Sequence, residues 1–238
     1  EHDIYLFNRG EDDRAYMRFG AHCVEKGNQT GVNFAVWAPN AEKVSVIGDF
    51  NDWKEDETKL ASLGDSGVWE AFSPSAEPGD KYKYHIESRE SDYEVDKGDP
   101  YGFYHQKPPE TASVIHDLSY DWNDKEWMDK REERNNEKAP ISIYEVHLGS
   151  WMRPSEGNEF LSYRDIAPKL AEHVKKCGFT HVEFLPLMEH PFYGSWGYQT
   201  TGYFAPTSRY GEPEGLMHLI DYLHGEDIGV IIDWVPSH

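Results

Sequence analysis

Two kinds of hydrophobic pattern divide this chain. From residue 21 to about residue 116, apolar and polar residues alternate, as in Val32, Phe34 and Val36. Breaks rich in Gly, Pro, Asn and Asp separate these runs. Short alternating strands at this spacing are typical of a β-sandwich. We therefore predict a sandwich module over 21–116, preceded by a polar N-terminal extension over 1–20.

After Pro140 the pattern changes to strands and helices in alternation. The predicted elements are a strand over 141–148, a helix over 163–177, a strand over 181–187, a helical stripe over 216–223 and a strand over 229–235. This order predicts the start of a parallel α/β architecture. Asp233 directly follows the last buried run, as polar groups do at the active face of a (β/α)8 barrel.

Residues 140–238 are therefore predicted to be an incomplete barrel that contains strands one to three. The fold class is thus a β-sandwich followed by a truncated TIM (β/α)8 barrel, and we expect the chain to be the front part of an enzyme. The loop between Leu187 and Glu214 is longer than a connection needs, so we predict that it is functional.

Local signals mark the ends of the first predicted helix. Ser162 and Asp165 have capping-box spacing, and Gly178 suits a helix C-terminus. Cys177 falls on the apolar stripe of this helix, so we predict a buried free thiol. Residues 117–139 carry eight acidic and five basic residues, and this composition indicates a charged linker with a solvated helical turn.

Charge and composition narrow the possible partners. The net charge is −21, from 23 basic and 44 acidic residues. A field of this sign repels phosphate backbones and anionic membrane surfaces, so neither nucleic acid nor a membrane is expected to be a partner. Two distant cysteines indicate neither a disulfide framework nor a zinc site. Because no apolar run has the length of a signal peptide or a membrane span, we expect a cytoplasmic protein.

The first motif is Gly48-Asp49-Phe50-Asn51-Asp52-Trp53, which follows a predicted strand. It is either a stable turn with buried rings or a sugar-facing platform made by Trp53, with Trp37 and Lys81 as candidate neighbours. The stretch VNFAVWAPNAEKVSVIGDFNDW resembles the β-sandwich modules, associated with starch and glycogen, that precede the barrels of branching and debranching enzymes. This resemblance implies a possible glucan-binding surface at Trp37, Trp53 and Lys81.

Further motifs lie after residue 140. In Ile143–Trp151, His147 suits a structural and a functional role equally well. The stretches GYQTTGY, from Gly197, and DWVPSH, from Asp233, resemble the α-amylase superfamily. Within that superfamily, the longer stretch MEHPFYGSWGYQTTGYFAPTSRYG, followed by DWVPSH, is similar to bacterial 1,4-α-glucan branching enzymes. Debranching and trehalose-forming relatives typically have Asn where this chain has Ser237.

The resemblance implies roles for three residues. Tyr198 matches the ring that stacks under the sugar bearing the scissile bond. Asp233 matches an aspartate that supports the site without attacking the substrate, and His238 matches a histidine that hydrogen-bonds the same sugar. The alternative for these three residues is a packed tyrosine, a capping or supporting aspartate and a loop histidine.

The same resemblance implies the reaction. A branching enzyme cleaves an α-1,4 bond, holds the released chain covalently and transfers it to a 6-hydroxyl of an α-glucan polymer. Retention needs a nucleophile and an acid/base about 5–5.5 Å apart. In the family these two carboxyls lie on later strands, so we expect no catalytic residue in this chain and both of them after residue 238. The resemblance implies no metal and no cofactor, and we expect a monomer.

Two alternatives remain open at this stage. One is a debranching or trehalose-releasing hydrolase of the same superfamily. The other is a non-catalytic glucan-binding module.

Overall fold

A computed structural model describes residues 2–154 and 160–237. Internal contacts divide them into two units. One unit contains the residues up to Asp117 together with Gly202–Ala205, and the other contains the remaining residues from Leu118 onward.

The first unit is built almost entirely from antiparallel strands. Its strands are β1 (Gly20–Lys26), β2 (Gln29–Trp37), β3 (Ala41–Gly48), β4 (Ala61–Ser62), β5 (Val68–Ser73), β6 (Lys81–Ser88), β7 (Glu94–Lys97), β8 (Tyr104–His105) and β9 (Ser113–Val114). One sheet has the order β1-β2-β5-β4, and the other has the order β3-β6-β9-β8 with β7 paired to β6. A short helix α1 (His2–Asn8) precedes them.

The core of the first unit lies between its two sheets, as the alternating pattern predicts. Val32, Phe34 and Val36 of β2 pack with Val44 and Val46 of β3 in one buried cluster. Period-two alternation sends these residues inward and their neighbours outward. The predicted β-sandwich is therefore confirmed for this part of the chain.

A buried carboxylate lies in this sandwich. Asp99 is 1% exposed and accepts hydrogen bonds from Tyr82 (2.6 Å), Tyr84 (3.2 Å) and the Tyr101 backbone N–H (2.8 Å). Burial raises the pKa of Asp99 to about 6, although these hydrogen bonds act in the opposite direction. Nothing in the local sequence pattern marks Asp99 as a buried carboxylate.

The second unit contains a small parallel sheet. Its elements are α2 (Lys125–Arg134), β10 (Ile143–Val146), α3 (Leu148–Trp151), α4 (Tyr163–Cys177), β11 (His181–Phe184), β12 (Met188–Glu189), α5 (Pro213–Gly225) and β14 (Gly229–Ile232). Strand β13 (Gly202–Pro206) lies in the long loop between β12 and α5. The parallel sheet has the order β10-β11-β14, so three successive strands are neighbours, as in the wall of an α/β barrel.

Helices α4 and α5 supply most of the core of this unit. Ile166, Leu170 and Val174 of α4 pack with Leu219 and Leu223 of α5 in one buried cluster that also contains strand residues. The helix predicted over residues 163–177 is confirmed at both ends. Ser162 Oγ accepts a hydrogen bond from the Asp165 backbone N–H at 3.1 Å, and Gly178 ends the helix with φ of 77°.

The structure corrects the expectation for Cys177. This thiol is exposed, whereas the apolar stripe predicted burial. Cys177 is the last residue of α4, and the buried residues of this helix end at Val174. The stripe therefore continues one turn beyond the part of the helix that is covered.

Residues 117–139, predicted as a charged linker with a solvated helical turn, contain a helix that packs within the second unit. They contain α2, whose Trp127 is buried and stacks on His224 with a centroid distance of 3.7 Å and an interplanar angle of 2°. Asp221 of α5 accepts hydrogen bonds from Tyr120 Oη (2.9 Å) and from the Asn123 backbone N–H (2.9 Å). This segment therefore packs against α5 within the second unit.

Within the described ranges, no helix combines the length and the apolar character that crossing a membrane requires. A search of the same ranges for three or more His, Cys, Asp or Glu side chains placed to hold a metal ion finds none.

Candidate functional site

The C-terminal edge of the parallel sheet brings two of the predicted site residues together. Asp233 directly follows β14, and its backbone N–H donates to the Phe184 carbonyl at 3.0 Å. Tyr198, on the long loop after β11, donates its hydroxyl proton to Asp233 Oδ2 at 2.7 Å. This hydrogen bond and partial burial raise the pKa of Tyr198 to about 12, so the phenol is a proton donor at neutral pH.

The loop reaches this position through a close approach of two backbone segments. Gly197 has φ of 94°, and a Cβ on it would collide with the Pro186 carbonyl oxygen. Only glycine combines that conformation with that approach at low cost. The Tyr198 backbone N–H then donates to the Ser195 carbonyl at 3.0 Å, which holds the turn that presents Tyr198.

A buried ion pair anchors both ends of the loop. Glu189 Oε1 lies 3.0 Å from Arg209 Nη1, and the two side chains are 6% and 7% exposed. Glu189 Oε2 accepts hydrogen bonds from the backbone N–H (2.8 Å) and the hydroxyl (2.7 Å) of Ser208. The carboxylate is thus fully engaged, and it fixes where the loop leaves β12 and where it returns before α5.

Two more carboxylates face the same side of the sheet as Asp233. Glu145 and Glu183 are register partners on β10 and β11, and Asp233 lies two residues beyond Ile231, the partner of Glu183. Desolvation raises the pKa of Glu183, as do a hydrogen bond with Asp233 and the charges of Asp233 and Glu145. Glu145 and Glu183 were not predicted as site residues, although both lie within predicted strands, where each is the last residue but one of the observed strand.

Of the three residues predicted to bind the sugar, His238 lies outside the described residues. Tyr198 and Asp233 are in direct contact, as described above.

The sandwich surface joins two of the other three candidates. Trp53 Nε1 donates to Asp49 Oδ1 at 3.0 Å, and the Lys81 backbone N–H donates to Asp49 Oδ2 at 3.1 Å. The Lys81 ammonium is 3.7 Å from the same oxygen. Burial by itself raises the pKa of Asp49, but the hydrogen bonds from Lys81 and Trp53 lower it, and the net pKa is below the ordinary value. The carboxylate that links the two residues therefore stays charged.

These side chains are on the surface. Trp53 is 38% exposed and has φ of 60°, so its ring is not a buried anchor of the turn. Trp37 is 50% exposed, but it ends β2 in the other sheet, with its ring 6.1 Å from that of Phe7. The structure therefore brings Lys81 and Trp53 together through Asp49 and places Trp37 elsewhere.

Comparison with known proteins identifies similar proteins for the sandwich and for most of the chain. Residues 18–102 match the model of carbohydrate-binding module 48, described as the isoamylase N-terminal domain. A crystal structure from Salmonella typhimurium, assigned as an alpha amylase, superposes with a TM-score of 0.69 at 25% identity and covers 90% of this chain and 32% of that one. The predicted fold class, a sandwich followed by the first part of an α/β barrel, is confirmed.

The whole chain is also similar to one class of enzyme. It is 56% identical to the 1,4-alpha-glucan branching enzyme GlgB of Aquifex aeolicus and covers 38% of that protein. The enzymes of the same name from Albidiferax ferrireducens and Synechococcus sp. (strain JA-3-3Ab) are 53% and 49% identical, with 37% and 33% covered. The predicted resemblance is confirmed, and the chain spans less than two fifths of the length of these relatives.

Proposed function

We propose that this chain is the N-terminal part of a 1,4-α-glucan branching enzyme. One observation carries the proposal: identity of 56% to such an enzyme over 240 aligned residues, which include all of this chain. The protein would cleave an α-1,4 bond with retention and transfer the released chain to a 6-hydroxyl, which makes an α-1,6 branch in glycogen or a related α-glucan.

The two carboxyls that perform this chemistry are proposed to lie beyond residue 238. A retaining pair stands about 5–5.5 Å apart, so that a sugar carbon fits between nucleophile and acid/base. Within the described residues, Glu183 interacts with Asp233: desolvation raises the pKa of Glu183, and a hydrogen bond with Asp233 and the charge of Asp233 raise it further. Asp233 also accepts a hydrogen bond from the Tyr198 hydroxyl, which suits a supporting role better than nucleophilic attack.

We propose three residues that hold the sugar at the scissile bond. Tyr198 would stack under it, His238 would hydrogen-bond it, and Asp233 would fix the Tyr198 ring. The rigid loop supports the Tyr198 assignment, because a preorganised ring loses little freedom when the sugar binds. No metal or organic cofactor is required by a double displacement between two carboxyls.

The sandwich would bind the polymer outside the barrel. Trp53 and Lys81, linked by Asp49, offer an exposed ring beside a cation, and Trp37 would be a separate contact.

We propose residues 21–116 as this module and residues 140–238 as the first part of the catalytic barrel, with 117–139 connecting them and 1–20 as an extension. A neutral polymer is not repelled by a net charge of −21. We further propose a cytoplasmic monomer.

Incubating the full-length enzyme with amylose tests the function. Branching leaves the number of reducing ends constant while α-1,6 linkages appear. A rise in reducing ends would instead identify a hydrolase of the same superfamily. Retention on glycogen with no change in linkages would favour the non-catalytic binding module, which the match to carbohydrate-binding module 48 also supports.

A further inference from the structure

An exposed tryptophan lies two residues before Tyr198 in a conformation that such residues seldom adopt. Trp196 has φ of 56° and is 59% exposed. A bulky residue in the left-handed region is an outlier that persists only when its surroundings impose it, and such outliers cluster at binding sites. The indole gains little burial here, so packing of the core does not explain it.

The backbone around Trp196 is held on both sides. Its N–H donates to the Tyr193 carbonyl at 3.1 Å. On the other side, Gly197 lies against the Pro186 carbonyl. The buried Glu189–Arg209 pair fixes the ends of the same loop. The ring is therefore presented by a rigid support, which lowers the entropy lost when a ligand stacks on it.

The His147 ring lies beside the indole, and the Tyr193 ring lies beside His147. The His147 ring, at the C-terminal end of β10, is 6.4 Å from the Trp196 ring and 5.6 Å from the Tyr193 ring. Tyr193 packs over Gly149, where a Cβ would lie 2.9 Å from its hydroxyl, and this hydroxyl accepts a hydrogen bond from Arg153 at 3.3 Å. The Trp196–His147–Tyr193 cluster thus forms a wall at the same sheet edge as Tyr198.

His147 adds a polar group to this wall. Its Nδ1 is 2.9 Å from Ser150 Oγ, and among the described residues no partner is recorded for its Nε2. Burial lowers the pKa of His147, and the charges of His190 and Arg153 lower it further. The imidazole is therefore neutral at pH 7, and Nε2 can exchange a hydrogen bond with a hydroxyl without carrying charge.

We propose that Trp196, together with His147 and Tyr193, forms a second glucose-binding subsite next to the sugar that stacks on Tyr198. This inference rests on the proposed function, because it needs an α-glucan at Tyr198. Two residues of chain span at most about 7 Å, so Trp196 and Tyr198 are close enough to hold adjacent units of one polymer. Stacking on the open indole face gives affinity, and the His147 imidazole orients one sugar hydroxyl.

Steady-state kinetics of the full-length enzyme with amylose tests the subsite. Trp196→Ala is expected to raise KM about tenfold, since an aromatic contact and its buried area contribute about that factor, while kcat stays within about twofold. Trp196→Phe keeps a ring and should recover most of the loss. Trp122→Ala, a matched change at an indole that is 46% exposed in the same unit, should leave both constants unchanged.

Equilibrium binding of maltoheptaose to the same variants gives a second readout. Trp196→Ala should weaken the affinity about tenfold, and His147→Ala should weaken it less, at an unchanged thermal midpoint. An unchanged KM and affinity in Trp196→Ala would overturn the subsite while wild-type branching upholds the function. A fall in kcat alone would also overturn it. If the wild-type enzyme neither branches amylose nor binds maltoheptaose, the proposed function fails and the subsite fails with it.

Discussion

At the scale of single residues, the Tyr198–Asp233 hydrogen bond is the contact with the clearest chemical consequence. The acceptor is a carboxylate, and hydrogen bonds to charged groups contribute about 1.5–3 kcal/mol. Tyr198→Phe keeps the ring but frees it to turn. We expect kcat/KM for branching to fall roughly 10–100-fold, and the free energy of urea unfolding to fall by about 1.5–3 kcal/mol. An unchanged kcat/KM would contradict the positioning role of Asp233.

Trp53 permits a test of the sandwich surface. Trp53→Ala removes an exposed ring that donates to Asp49 at 3.0 Å, so we expect weaker co-sedimentation with glycogen and a stability change below about 1 kcal/mol. Trp122→Ala provides the control at an indole that is 46% exposed and has no proposed contact with the glucan. Unchanged glycogen affinity together with lost stability would show that Trp53 supports the turn and does not bind sugar.

Asp99 makes the stability of the sandwich depend on pH. Its pKa of about 6 lies above the ordinary value of 3.8, so between these values the native state binds more protons than the unfolded state. Stability is then lost as pH rises through this window, by about 3 kcal/mol in total. Asp99→Asn cannot ionise, and its free energy of unfolding should improve relative to wild type by about 1 kcal/mol between pH 5.5 and 7.5.

Urea unfolding of wild type and Asp99→Asn at these two pH values measures that difference. Asp92→Asn, the same change at an exposed aspartate of the same unit, serves as the control. A gap between wild type and Asp99→Asn that stays constant with pH would show that Asp99 does not titrate in this range.

At the scale of elements, the sequence predicts local structure well and long-range pairing poorly. Helix α4 could be placed from its stripe, from Ser162 and from Gly178, because these signals lie within one segment. The Glu189–Arg209 pair could not be predicted, because its partners are separated by the whole loop and only the fold brings them together. The packing of helix α2 could not be predicted for a related reason. Trp127 is buried by His224 of α5, which is distant in sequence.

The loop anchor gives a prediction at this scale. Removing one partner of a buried ion pair leaves the other charge uncompensated and costs about 3–5 kcal/mol. We expect this loss in the urea unfolding of Glu189→Ala, with a smaller additional loss when Arg209→Ala is added. Glu226→Ala breaks the exposed pair with Lys175, whose side chains are 36% and 56% exposed, and should cost less than about 1 kcal/mol. Equal losses in both single variants would contradict the anchor.

At the scale of the whole molecule, the two units differ in how completely they enclose a core. The sandwich surrounds its own cluster with two sheets. The parallel sheet of the second unit ends at β10 and β14 in the described residues, and Ile143 and Ile232 on these end strands are 43% and 42% exposed. Three strands cannot close a barrel, and unpaired apolar edges favour association between chains.

This difference predicts how fragments behave. Residues 1–117 should be monomeric and unfold cooperatively, whereas residues 140–238 should aggregate or unfold without a sharp transition. Residues 118–238 should be more stable than 140–238, because they keep the Trp127–His224 stack and the hydrogen bonds from Tyr120 and Asn123 to Asp221. Size-exclusion chromatography and thermal unfolding of the three fragments measure this order. A soluble, cooperatively unfolding monomer of 140–238 would mean that the three-stranded sheet is self-sufficient and that α2 contributes nothing essential to it.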